Sequence, residues 1–317
     1  MITYVEGNLF QSPAQTLVNT VNTVGVMGKG IAKDFKAAFP EMYTEYRRLC
    51  ELGKFRIGTL WLYKSPHKWV LNFPTKEDWR RPSKREYVEA GLRKFVDTFE
   101  QQGITSAAFP ALGCGNGGLD WRNVVMPLME HYLDSLPIEI MIYPHQRRVE
   151  SPEHEAPEDM ARWLRSQPEV LSFHEFWVDI TELLRVQRTF AMRGSTDCYR
   201  LALGEGGISI LNGQVTLVER DEMRDLWMQL RQSGFASHGF APVSLEGRIE
   251  YLLPLLAELP YVRPVRIGRT DAEIGEHAGL GLQYLPRVDA SRAPTPRRQV
   301  LREASAGAGS ARAILPL

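Results

Sequence analysis

Apolar positions in the first half of the chain switch repeatedly between a period of two and a period near 3.6, the two periodicities that separate strands from helices. ITYVEG (2–7) and TLVNTV (16–21) read as strands, and GIAKDFKAAF (30–39) and EMYTEYRRLCELG (41–53) as two helices parted by Pro40. GTLWLYK (58–64) and KWVLNF (68–73), separated by Ser-Pro-His, predict a hairpin whose second strand ends at Asn72 and hands over to Pro74, Thr75 and Lys76. SKREYVEAGLRKFVDTFEQQG (83–103) predicts a helix capped by Ser83 and closed by Gly103, and ITSAAFPAL (104–112) a buried strand. WRNVVMPLMEHYLDSL (121–136) then predicts a helix and IEIMIYP (138–144) a last strand. Strands alternating with helices imply an α/β layered sheet, and ligands of such sheets collect beyond the carboxyl ends of the strands.

Two glycine-rich turns fall at that edge. In NTVNTVGVMGKGIA (19–32) an extended segment runs through Gly25, Gly28 and Gly30 into a helix, so backbone N–H groups and a helix N-terminus face one place, where an anion is favoured. The spacing fits neither a Walker loop nor a dinucleotide fingerprint. PALGCGNGGLDW (110–121) is the second turn, and Gly113, Cys114, Gly115, Asn116, Gly117 and Gly118 form a backbone nest suited to a diphosphate. Asp120 reads as the N-cap of the helix that follows.

GNLF (7–10), the first glycine turn, NFPTK (72–76) followed by Trp-Arg, and LGCGNGGLDW (112–121) together resemble the macrodomains, modules that bind ADP-ribose. More narrowly they resemble the DarG type, which removes ADP-ribose from DNA bases modified by a partner toxin. The resemblance covers residues 1–145 and implies a three-layer α/β/α macrodomain with a mixed sheet over 1–148. It implies Lys76 as the catalytic lysine and Asn22 as the residue holding the distal ribose, with Asn19 tying down the loop. Lys76 is open to two roles, an amine nucleophile forming a Schiff base or a protonated stabiliser of the leaving base. Asn8 stands where most macrodomains carry an adenine-binding aspartate and retains an acceptor oxygen. With Leu9, Lys29, Ile31, Thr75 and the two glycine turns it completes the expected ADP-ribose site. In the protein-directed relative, the terminal ADP-ribose protein glycohydrolase, an aspartate of the second turn resolves a covalent intermediate; the matching position here is Gly117. Trp79, Arg80 and Arg81, extended by Lys84 and Arg85, are expected to contact DNA through stacking and phosphates. The partners implied are ADP-ribose, ADP-ribosylated DNA and a cognate ADP-ribosyltransferase toxin. A non-catalytic ADP-ribose reader and a deacylase of acylated ADP-ribose remain as alternatives.

HQRRVESPEHEAPED (145–159) has no apolar periodicity and reads as a linker, its polar core at 149–159. Beyond it, 160–288 predicts a smaller α+β domain with helices at 160–167, 173–190, 220–234 and 245–259 and strands at 214–219 and 262–268. Trp163, Trp177 and Trp227 read as core, and the acidic run from Glu219 to Asp225 as a candidate toxin-binding surface. From 289 to 317 the Ala, Gly, Ser, Pro and Arg content predicts a disordered tail.

Charge and cysteine content narrow the picture. The 317 residues carry 38 basic and 38 acidic side chains, so any DNA contact is expected from a local patch. Three scattered cysteines argue against a disulfide framework or a zinc site, and no further cofactor is expected. The chain enters a strand pattern at once and has no long apolar run, which points to a cytoplasmic protein that does not enter a membrane.

Overall fold

The computed structural model describes residues 1–144, 152–191, 198–268 and 279–288. It divides into two compact units, Met1–Met160 and Ala161–Leu317. The expected tail at 289–317 lies outside the described residues.

The first unit is built on a six-stranded sheet, β1 (Ile2–Tyr4), β2 (Thr16–Asn22), β3 (Trp61–Lys64), β4 (Trp69–Lys76), β5 (Ser106–Pro110) and β6 (Glu139–Tyr143), in the order β1-β6-β5-β2-β4-β3. Every pairing is parallel except β3 with β4, so the mixed sheet brings the carboxyl ends of β1, β2, β4, β5 and β6 to one edge. Helices α1 (Gly30–Ala38), α2 (Pro40–Glu51), α3 (Arg85–Gln102) and α4 (Met126–Leu133) complete the layers. Side chains of β2, β4, β5 and β6 form one core with α3 and α4 through Val18, Phe73, Phe95, Phe109, Met129 and Ile142. Alternate residues of a strand point to opposite faces, and these strands are buried on both, as the near-continuous burial of β2 and β4 shows. At Gly91 an added Cβ would sit 2.2 Å from the Phe73 ring, so α3 lies against the sheet at a distance only glycine permits.

β4 runs four residues beyond the expected end at Asn72. Its Pro74 lacks an N–H, yet costs no ladder bond on the β3 side, because β3 pairs only as far as Asn72. The extension is held by β2, whose register slips between Val21 and Asn22 so that Asn22 lies opposite Lys76. The helix expected to be capped by Ser83 begins one residue later, after Lys84 with no side-chain cap. Ser83 instead donates its backbone N–H to the Gly117 carbonyl at 2.9 Å, hooking the segment after β4 onto the second glycine turn.

Helix α5 (Pro157–Ser166) occupies the end of the stretch read as linker and carries the chain across the division between the units. In the second unit β7 (Thr189–Ala191), β8 (Cys198–Leu203), β9 (Gly207–Leu211) and β10 (Val215–Glu219) form an antiparallel sheet. Strands β11 (Phe235–Ser237), β12 (Val262–Ile267) and β13 (Gly279–Tyr284) form another. Helices α6 (Phe173–Val186), α7 (Arg220–Ser233) and α8 (Ile249–Leu256) accompany them. The helix expected over 173–190 stops at Val186, because Thr189–Ala191 pairs with β8. Of the three tryptophans read as core, Trp227 is fully buried, stacked on Phe176 at 4.7 Å. Glu219 and Glu222 form a capping box at the start of α7 and Glu222 pairs with Arg248 at 2.6 Å, so this part of the acidic run is engaged within the unit.

Candidate active site

A cleft of about 960 Å³ opens at the carboxyl edge of the six-stranded sheet. It is lined by Asn8, Leu9, Asn22, Gly28, Lys29, Gly30, Ile31, Thr75, Lys76, Gly113, Gly115, Asn116 and Gly117, all expected from the sequence, together with Phe10, Asp34, Tyr143 and Glu153 among others. Asn19, Cys114 and Gly118 are not in its wall. Asn19 is buried within the sheet, its amide donating to Asn72 Oδ1 at 3.0 Å. Burial pushes the Cys114 thiol up to about 12, which leaves it no nucleophilic thiolate near neutral pH. Gly118 adopts φ +75° beside the His154 ring.

Asn22 holds the backbone of the first glycine turn, while Asn19, expected to tie the turn down, reaches it through its amide on Met27 Sδ at 3.9 Å. The Asn22 Oδ1 accepts from the N–H groups of Val24 at 3.1 Å and Val26 at 3.2 Å, while its amide donates to the Val26 carbonyl at 2.6 Å. The buried Tyr46 hydroxyl adds a 2.6 Å bond to the Asn22 carbonyl. Asn22 therefore shapes the turn with both ends of its side chain and lines the cleft as well. Helix α1 opens at the end of this turn, after Lys29 with no side-chain cap, so the N–H groups of its first turn are not taken by a capping side chain.

The second turn closes from the other side. A Cβ on Gly30 would lie 2.6 Å from the Asn116 amide nitrogen, so the two turns meet across the cleft. At Gly117 a Cβ would lie 2.2 Å from both the Gly113 carbonyl oxygen and Ser83 Oγ, which excludes any side chain there, an aspartate included. Asp120 caps the next helix by accepting from the Asn123 N–H at 2.6 Å. Asn8 caps the short helix Leu9–Gln11, accepting from the Phe10 N–H at 3.1 Å, and uses one lone pair of the oxygen expected to meet adenine.

Lys76, the last residue of β4, is 5% exposed. Its ammonium faces Glu153 Oε2 at 3.5 Å, and Glu153 is itself 7% exposed. Burial lowers the Lys76 pKa against the opposing pull of Glu153, and burial raises that of Glu153 against the pull of Lys76. Both groups are thereby moved toward their neutral forms. Sequence reading missed Glu153, which lies in the stretch taken for a linker. The adjacent His154 ring contacts the Asn116 carbonyl at 3.2 Å and fastens this segment to the second glycine turn.

The expected DNA patch is only partly available. Trp79 is completely buried, so it presents no face for a base to stack on. Its ring is covered by the Arg80 guanidinium at 4.1 Å, and Arg80 also pairs with Asp78 at 3.4 Å. Arg81, Lys84 and Arg85 remain on the surface, on the segment that Ser83 ties to the second turn.

Residues 18–127 match the model of the Macro domain. The N-terminal unit belongs to the macrodomain family. Over 147 residues this macrodomain is 44% identical to a DNA ADP-ribosyl glycohydrolase of Thermus aquaticus, an alignment that takes in 45% of this chain and 41% of the relative. A protein of the same name from Mycobacterium tuberculosis is 44% identical over 148 residues, 45% of this chain and 42% of its own. The solved macrodomain of Thermus aquaticus DarG is 45% identical and superposes with a TM-score of 0.44, covering 46% of this chain and 99% of that one. Thermosipho africanus DarTG, solved in complex with ADP-ribose, is 41% identical with a TM-score of 0.44, covering 48% of this chain and 45% of that one. The chain spans about two fifths of the length of the curated relatives it matches, 41% and 42%. Among the described residues no helix is long and apolar enough to cross a membrane.

Proposed function

We propose that the macrodomain binds ADP-ribose in the cleft and hydrolyses the N-glycosidic bond between ADP-ribose and a DNA base, undoing the product of a DNA ADP-ribosyltransferase toxin. The observation that carries this reading is the buried ammonium of Lys76 in the cleft wall, at the end of the strand that also bears Thr75. A binding module gains nothing from a desolvated lysine, whose burial costs free energy; a glycosidase gains a group able to stabilise or protonate the departing base. The identity to proteins named DNA ADP-ribosyl glycohydrolase supports the same choice of substrate. In this reading the glycine turns and the uncapped start of α1 hold the diphosphate, Asn22 and Asn116 flank the distal ribose, and Asn8 with Leu9 receives the adenosine. Arg81, Lys84 and Arg85 meet the DNA backbone, a role in which Trp79 has no part.

The second unit is proposed to hold the toxin as a protein, in keeping with a relative named as a transferase–glycohydrolase fusion. The cytoplasm, where free cysteines such as Cys50, Cys114 and Cys198 persist, is the proposed location. The test uses the full chain with a DNA oligonucleotide carrying one ADP-ribosylated base. Free ADP-ribose and the unmodified oligonucleotide should appear in equal amounts; binding of ADP-ribose with no release would make the protein a reader.

A further inference from the structure

Hydrolysis of a glycosidic bond needs a group to take a proton from the attacking water, and the macrodomain has few places to put one. Among the described residues in the cleft wall the carboxylates are Asp34 and Glu153. Asp34 stands exposed on α1, whereas Glu153 is buried against Lys76. The second glycine turn cannot supply a carboxylate at Gly117, because backbone fills the space a side chain would need. From these placements we infer that Glu153 is the general base of the reaction, held at the cleft by the contact of the adjacent His154 with Asn116. The inference rests on the glycohydrolase reading above.

The step balances with the two buried groups alone. Water oxygen forms a bond to the anomeric carbon while the bond from that carbon to the base nitrogen breaks, and its electron pair goes to the nitrogen. The Glu153 carboxylate takes the water proton and the Lys76 ammonium gives one to the base. The pair that began as ammonium and carboxylate ends as amine and carboxylic acid, and one proton crossing the 3.5 Å gap restores it. The charged neighbours that act on Glu153 are Lys76 at the end of β4, Lys29 from the first glycine turn and Asp78 just past β4. The two lysines favour its ionised form, Asp78 opposes it, and burial opposes it most.

Glu153→Gln in the full chain tests this, because it keeps the shape and one acceptor oxygen while removing the base. Single-turnover release of ADP-ribose from the modified oligonucleotide should fall about 100-fold or more. The stabilisation of the chain by free ADP-ribose should persist. In the wild type, release should decline as pH falls through the Glu153 ionisation, and that acidic limb should vanish in Glu153→Gln. A variant that releases ADP-ribose at the wild-type rate with the same acidic limb overturns the inference. Should Glu153→Gln lose its response to ADP-ribose, Glu153→Ala with added formate decides: recovery of rate supports the general base, and no recovery overturns it. A wild-type chain that releases no ADP-ribose would instead bring down the glycohydrolase reading, and the inference with it.

Discussion

Lys76 and Glu153 meet in one buried pair, yet the chain delivers them by opposite means. Lys76 ends an eight-residue strand buried through almost its whole length, with its register set against Asn22 on β2. Glu153 sits on an irregular turn beyond β6, fastened to the rest of the site through His154 on the Asn116 carbonyl. One partner is placed by the fold and the other is laid against it. Substitutions among the residues packed around β4 and in the glycine turns should therefore cost stability or binding, and substitutions at Glu153, like those at Lys76 itself, should cost chemistry with little loss of fold.

The largest effect that would sharpen this contrast comes from Trp79→Ala. With the indole completely buried, its removal should destabilise the first unit by about 4 kcal/mol, measured by chemical denaturation. A variant of unchanged stability with weakened DNA binding would restore Trp79 to the surface role its sequence position suggested. Gly117→Ala should come next, at about 3 kcal/mol and with loss of ADP-ribose affinity in calorimetry, since its Cβ would meet a backbone oxygen at 2.2 Å. Gly30→Ala should be milder, about 1 kcal/mol, because its positive φ of +58° carries a strain cost while the nearest obstacle is the movable Asn116 side chain.

The smallest effect is a matter of pH. Burial lowers the Lys76 pKa beneath its ordinary 10.5, so on raising the pH the folded chain releases that proton before the unfolded chain does. The contribution of Lys76 to stability therefore rises with pH between the lowered value and 10.5, and Lys76→Met should remove that rise. Glu153 works in the other sense. With its pKa held above 4.5, its contribution is greatest below that value and is lost as pH climbs through the raised one, a dependence that Glu153→Gln should abolish. Denaturant midpoints across pH for the wild type and the two variants check both slopes.

Much of the cleft was legible because its residues act through backbone conformation and strand position, which leave marks in a sequence. Gly28, Gly30, Gly113 and Gly117 are glycines at a strand-to-helix turn, and Lys76 closes a β-rich run. What could not be read depended on contacts between distant segments. Trp79 beside two arginines looks like a surface cluster, and only the packing of the segment after β4 shows it buried. Asn19 and Asn22 are three residues apart on one strand, and only the fold shows that Asn22 holds the backbone of the turn while Asn19 reaches it through Met27 Sδ. Glu153 lies in a polar, proline-containing stretch, and its role comes from burial against Lys76 that no local pattern encodes. The strands at 198–203, 207–211 and 279–284 were likewise missed. They are no shorter than the strands at 215–219 and 262–267 that were read, but CYRLAL and GLGLQY carry none of the β-branched residues that mark a strand.

In the proposed reaction the glycine turns provide affinity for ADP-ribose while Lys76 provides the chemistry. The most direct test measures both on one variant, Lys76→Ala in the full chain, by calorimetry with free ADP-ribose and by single-turnover release from an ADP-ribosylated oligonucleotide. The variant should keep an affinity within about threefold of the wild type, a change of under 1 kcal/mol, and release ADP-ribose roughly 1,000-fold more slowly or worse. Release at the wild-type rate, or a loss of affinity as large as the loss of release, would contradict this assignment of roles.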